Sequence, residues 1–251
     1  GAWEAAFVNT LSPNDQVLMF ETGHFSSLWQ ELANKIGINP KVIPGDWRHG
    51  VIADEVEEFL KNDPNHNIKA VCIVHNETST GVTSDVEATR AAINSAKHPA
   101  LLFVDTISSL ASIDYHHDDW GVDVTISGSQ KGLMLPPGLS FNAISEKALT
   151  ASKSNNLNRS YWDWNAIIDN NQTGFFPYTP ATNLLYGLKE ALDMLFEEGL
   201  EQVFSRHSRL AKATRIAVQA WGLEILCQNP NEYSDVLTAV LVPDNKNADE
   251  L

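Results

Sequence analysis

Apolar residues arrive in short unbroken blocks separated by longer amphipathic stretches. The runs at 17–20, 41–43, 69–75, 101–105 and 122–127 are continuous rather than alternating, as a strand covered on both faces requires. Between them lie stretches of helical composition: 1–11, stopped by Ser12 and Pro13; 26–36; 51–61, with Val51, Ile52, Val56, Phe59 and Leu60 on one broad face; and 85–96, with Ser84 as its cap. Strand and helix alternate throughout, which predicts an α/β fold with a mostly parallel sheet and helices on both faces. The run 139–144 breaks the rhythm. It follows 122–127 across a link too short for a helical crossover and interrupted by Pro136, Pro137 and Gly138, so it is expected to return antiparallel.

Farther on, 147–165 reads as partly helical and 170–180 as a long irregular loop, a type of segment often tied to function. Helices are expected over 181–198 and 200–221, and strands over 223–226 and 237–242. This divides the chain into a large domain, 1–198, and a linking helix with the beginning of a small α/β domain, 199–251. The first residues already lie in a helix, without a methionine before them, and the small domain stops short of closure. The chain therefore reads as a piece of a longer protein.

Two polar residues stand at the ends of apolar runs. Asp105 closes the run 101–105, and Lys131 follows the run 122–127 within the turn SGSQKGLMLPPG (127–138). In open α/β sheets ligands bind outside the carboxyl ends of strands. A lysine there can become a Schiff-base nucleophile when burial or nearby cations lower its pKa. A carboxylate across the same crevice suits a carbonyl cofactor with a basic ring nitrogen. Gly121, Gly128, Gly132 and Gly138 gather around the lysine, consistent with a backbone that approaches a ligand closely. A lone lysine in such a turn is ordinarily solvated, so the weight rests on the pairing with Asp105.

Composition narrows the function classes. The 251 residues carry 17 basic and 32 acidic side chains, a net charge of −15, which argues against nucleic acid or an anionic membrane as partner. No apolar run reaches the roughly 18 residues of a membrane span, and no secretory leader opens the sequence. Cys72 and Cys227 lie in apolar runs and read as buried thiols, which with the missing leader makes the cytoplasm the expected location. Three glycosylation-type triplets, at Asn76, Asn158 and Asn171, count as chance matches in that setting. The run His116-His117-Asp118-Asp119 lacks the spacing of a ligand set, so no metal is expected.

The segment VDTISSLASIDYHHDDWGVDVTISGSQKGLMLPPGLSF (104–141), with HNETSTGV (75–82) and FPYTPATNLLYGLKEAL (176–192), resembles the class V, fold-type-I pyridoxal-phosphate aminotransferases, nearest their serine–glyoxylate and alanine–glyoxylate members. The resemblance runs over essentially the whole chain. It implies pyridoxal 5′-phosphate as cofactor, Lys131 as the Schiff-base lysine and proton carrier, and Asp105 as the partner of the pyridine nitrogen. Phe25 matches the aromatic stacked on the ring, Ile107 a residue packed against it, Thr78 a cofactor contact and Gln130 a phosphate ligand. Gly1 and Ala2 match the edge of the phosphate cup at a helix N-terminus, where free amides and the dipole favour an anion. His24 is a possible pocket residue, with capping or packing as the plainer role.

Thr179 matches a threonine that reaches the partner subunit's cofactor phosphate, so a homodimer is implied, while Phe176 stands where relatives can carry a tyrosine. The implied reaction moves an amino group from a small amino acid, serine favoured, to glyoxylate. Alanine, aspartate or ureidoglycine are alternative donors, and a cofactor-binding relative without activity is an alternative reading. A cofactor-free Schiff-base lyase leaves Asp105 without a role, and a desulfurase lacks a cysteine in a mobile glycine-rich loop. The arginine that binds the substrate carboxylate in this family has no counterpart here.

Overall fold

The computed structural model describes residues 1–243 and 246–248. In chain order the elements are α1 (Ala2–Thr10), β1 (Gln16–Phe20), α2 (His24–Lys35), β2 (Asn39–Ile43), α3 (Ala53–Lys61), β3 (Ile68–Val74), the two-residue strands β4 (Asn76–Glu77) and β5 (Val82–Thr83), and α4 (Val86–Ser95). They continue with β6 (Leu101–Asp105), β7 (Val124–Gly128), β8 (Ser140–Ile144), α5 (Glu146–Ala151), α6 (Trp164–Asn171), α7 (Thr182–Glu198) and α8 (Leu200–Ala220).

Six strands form one sheet in the order β2-β1-β3-β6-β7-β8. Every neighbouring pair is parallel except β7 and β8, which run antiparallel from Val124 opposite Ile144 to Gly128 opposite Ser140. The central strands β6 and β7 are buried at every position, and edge strands β2 and β8 are not. This is why the central runs are continuously apolar.

Both faces are covered. On one, Phe7 of α1 and Leu11 just after it, Trp29 of α2, Ala148 of α5 and Trp164 of α6 pack with Val17, Cys72, Phe103 and Ile126 of the sheet. On the other, Val56 and Leu60 of α3 and Val86 and Ile93 of α4 pack with Leu18, Val71, Leu102 and Val104. The alternating identities follow from the two-residue period of a strand.

Four details depart from the expected pattern. α3 begins at Ala53 with Ile52 as its cap, half exposed rather than on the buried face. Asp85, not Ser84, caps α4 by accepting from the Ala88 N–H at 2.8 Å, while Ser84 Oγ accepts from Val51 N–H. α6 extends into the segment expected to be loop, where Asn170 and Asn171 donate to the carbonyls of Ala166 and Ile167 one turn back. The strands expected over 223–226 and 237–242 shrink to one bridge between Ile225 and Val240. Ile225 is buried with Val218 of α8 and Val82 of β5, whereas Leu241 and Val242 remain more than a third exposed, so only the residues around the bridge are covered. Gly199, where the sequence places the expected domain division, is the one residue between α7 and α8.

Candidate active site

Asp105 is the last residue of β6 and is 4% exposed. Its Oδ1 accepts from the Ile107 N–H at 2.7 Å and its Oδ2 from the Trp3 indole N–H at 2.6 Å. Burial pushes the carboxyl up to about 7. The two N–H donors pull against that shift and the charge of Glu77 adds to it. A buried carboxyl with only two neutral donors lacks a cationic partner, and a protonated ring nitrogen would be one.

Lys131 lies three residues past β7. The turn that carries it is tied by Ser129, whose hydroxyl donates to Pro136 O at 2.8 Å and accepts from Leu139 N–H at 3.2 Å. The Leu135 and Met134 amides donate to Ser129 O and Lys131 O. Gly132 packs so closely that a Cβ would lie 2.1 Å from Leu110 O, so this glycine serves contact between two chain segments rather than approach to a ligand. Lys131 is exposed to the crevice, and its ammonium has no hydrogen bond or ion pair with the described residues.

Asp105 and Lys131 line the same cavity of about 580 Å³, a size within the roughly 300–1,000 Å³ of small-molecule sites. Gly1, Ala2, Phe25, Thr78, Ile107 and Gln130 line it too. The residues that the sequence separates by up to 130 positions are thus brought to one crevice at the carboxyl edge of the sheet. α1 enters it N-terminus first with no side-chain cap, leaving first-turn amides free for an anion. His24 does not line the cavity; its ring meets Phe25 edge-on at 5.6 Å. Thr179 lies outside as well, in an adjoining cavity with Phe176 and Tyr178. His116 faces Asp114 and Asp119, whereas His117 Nδ1 bonds Thr125 at 2.6 Å.

Several residues in this arrangement carry no local signature. Fully buried Glu77 accepts from the amides of Phe25, Ser26 and Ser79 and from the Ser79 hydroxyl, so one carboxylate caps α2 and fixes the backbone of Phe25. Gly23 makes room for it, since a Cβ there would lie 2.5 Å from Glu77 Cγ. Asn76 Nδ2 donates to Ser108 Oγ, which donates to Asn76 O, joining the segments that follow β3 and β6. Trp162 walls both cavities. The sequence shows Glu77 only as an acidic residue before Thr78, Ser79 and Thr80, and Trp3 only as a tryptophan one turn before Phe7; neither pattern names a partner.

The donor set fits a planar group with a basic nitrogen at Asp105, a carbonyl at Lys131 and an anionic tail at the start of α1. The model of the aminotransferase class-V family matches residues 3–249. A serine–glyoxylate aminotransferase of Hyphomicrobium methylovorum is 50% identical over 246 residues, 97% of this chain and 61% of the relative. An L-aspartate–glyoxylate aminotransferase of Paracoccus denitrificans is 44% identical over 248 residues, 99% of this chain and 63% of its own. Among solved structures, a pyridoxamine–pyruvate aminotransferase from Mesorhizobium loti superposes with a TM-score of 0.90 at 29% identity, covering 98% of this chain and 63% of the other. The chain spans about three-fifths of the length of the curated relatives it matches.

Proposed function

Since the chain belongs to the class-V aminotransferases, we propose that it forms the cofactor-binding part of a pyridoxal-phosphate transaminase that transfers the amino group of a small amino acid, serine preferred, to glyoxylate. The observation that carries this reading is the unpaired ammonium of Lys131 and the buried carboxyl of Asp105 on the walls of one ring-sized cavity. The preference for serine rests on the 50% identity to the serine–glyoxylate enzyme. Aspartate is the runner-up donor, on the 44% relative.

When bound, the pyridoxal ring supplies an electron sink for the carbanion at the substrate Cα. Lys131 holds the aldehyde carbon between turnovers and carries the proton at the substrate Cα. Asp105 would partner the ring nitrogen and, as a carboxylate, raise that nitrogen's pKa so that it keeps its proton. The free amides of α1, with Gly1 and Ala2 at its start, and the Gln130 side chain hold the phosphate. Phe25 and Ile107 would pack against the ring and exclude water, and Thr78 would contact the cofactor. Thr179, set apart in its own cavity, is assigned to the phosphate of a second copy in a homodimer. A cytoplasmic location rests on the two buried, unpaired thiols.

The test is Lys131→Ala in the complete protein. Its expected effect is loss of the lysine-linked absorbance of the cofactor and a fall in turnover of about 10²–10⁴-fold, the range for a positioned proton-transfer group. Undiminished turnover overturns the assignment. A donor screen against glyoxylate ranks serine first, and equal rates for serine, alanine and aspartate remove the preference.

A further inference from the structure

We infer that Trp3 is a positioning residue, whose indole N–H fixes the orientation of the Asp105 carboxylate toward the cofactor nitrogen. This rests on the function proposed above. Trp3 sits in the first turn of α1, one turn before Phe7, so both project from one face of the helix. Its ring lies on Trp29 of α2 at 5.6 Å and 11°, and Trp29 lies on Phe7 at 5.7 Å and 25°. Phe7 in turn meets Phe103 at 6.1 Å. Phe103 precedes Asp105 by two residues in β6 and so shares its face of the sheet. The aromatic column thus joins both helices to the strand that bears the carboxylate, and the Trp3 N–H closes the loop at Asp105 Oδ2, 2.6 Å away.

The geometry limits what that carboxylate can do. One N–H occupies each oxygen, Trp3 on Oδ2 and Ile107 on Oδ1, and each oxygen keeps a lone pair for a further donor. With both oxygens held, the carboxyl plane cannot rotate away from the cavity. Two other charged groups surround it: Glu77 of β4, fully buried beside it and acting on its charge, and Lys131 from the turn after β7, which lines the same cavity. The two stacked indoles differ in one respect: the Trp29 N–H is buried without a partner, whereas that of Trp3 is spent on Asp105. The pair provides its own control, because replacing Trp29 perturbs the column without touching the carboxylate.

The experiment compares Trp3→Phe and Trp29→Phe in the complete protein with two readouts. The first, on cofactor-free protein, follows the Asp105 carboxyl by isotope-edited infrared or carbon NMR titration. Loss of a donor to the ionised form raises its midpoint by about one pH unit in Trp3→Phe and leaves it in place in Trp29→Phe. The second is the dissociation constant for pyridoxal phosphate, which weakens about tenfold or more in Trp3→Phe, as expected for a lost hydrogen bond to a charged group. Should the phenylalanine disturb the fold, benzothienylalanine at position 3 keeps the ring and replaces only the N–H by sulfur. An unmoved titration, or equal movement in both variants, overturns the assignment. Because that titration needs no cofactor, it separates the failure of this inference from failure of the proposed function, which appears instead as wild-type protein that binds no pyridoxal phosphate.

Discussion

Asp105 places a functional demand in conflict with the stability of the fold. Its carboxyl, pushed up to about 7 by burial, favours the protonated form when no cation occupies the crevice. A group raised in the folded state stabilises fully below its unfolded value, and that stabilisation is lost as pH rises through the folded one. Cofactor-free protein therefore loses stability through Asp105 between about pH 4 and pH 7. His75 works in the opposite sense: burial pushes it down to about 4, so its contribution is present at neutral pH and lost on acidification. The two slopes overlap, and only a difference profile isolates Asp105. Chemical denaturation of cofactor-free Asp105→Asn and wild type across this range should give curves that diverge with rising pH, the variant gaining up to about 4 kcal/mol. Parallel curves would show that the carboxyl is not held out of solvent. The same variant should bind pyridoxal phosphate more weakly, because an amide cannot offset a ring cation.

At the scale of elements, the site depends on two helix starts and two strand ends held in register. Glu77 connects one of each: it follows β3, caps α2 through the amides of Phe25 and Ser26, and is itself held by the amide and hydroxyl of Ser79. Glu77→Gln keeps the shape but exchanges one accepting oxygen for a donor facing N–H groups. The expected result is a loss of about 1–3 kcal/mol and a looser Phe25, seen as faster amide exchange at Phe25 and Ser26 with β6 unaffected. Gly23→Ala should act on the same contact from the other side, its new methyl meeting Glu77 and Ser79. If exchange at the start of α2 is unchanged in both, the carboxylate is not what holds it.

This level also marks where sequence reasoning stops. The buried strands could be read from unbroken apolar runs, β8 from the shortness of its link, Asp105 from its place at a strand end and Lys131 from its place just beyond one. Glu77 acting on residues 51 and 52 positions away, or Trp3 on one 102 away, leaves no local trace, because the partner is chosen by packing. The expected strands after 222 failed for a related reason: their composition was adequate, but strand formation depends on neighbours that cover it.

Across the whole molecule, the distribution of arginine limits what these residues accomplish together. A substrate carboxylate is best held by a bidentate guanidinium, yet among the described residues no arginine lines the cavity of Lys131 and Asp105. Arg90 is committed to Asp123, Arg206 to Glu198, and Arg215 to Asp235 and the Ser234 carbonyl. On the function proposed above, the described lining of the crevice offers contacts for the cofactor and no guanidinium for the carboxylate of the amino acid. Two binding steps should therefore separate when residues 1–251 are compared with a full-length serine–glyoxylate relative, of which they match 61%. Pyridoxal phosphate should produce its lysine-linked absorbance with both. Serine, titrated into the loaded proteins, should bind the shorter one at least about tenfold more weakly, the deficit of one charge-assisted pair. Equal serine affinity would mean that Lys131, Gln130 or the α1 amides already hold the carboxylate, and the division of labour between cofactor and substrate contacts would have to be redrawn around them.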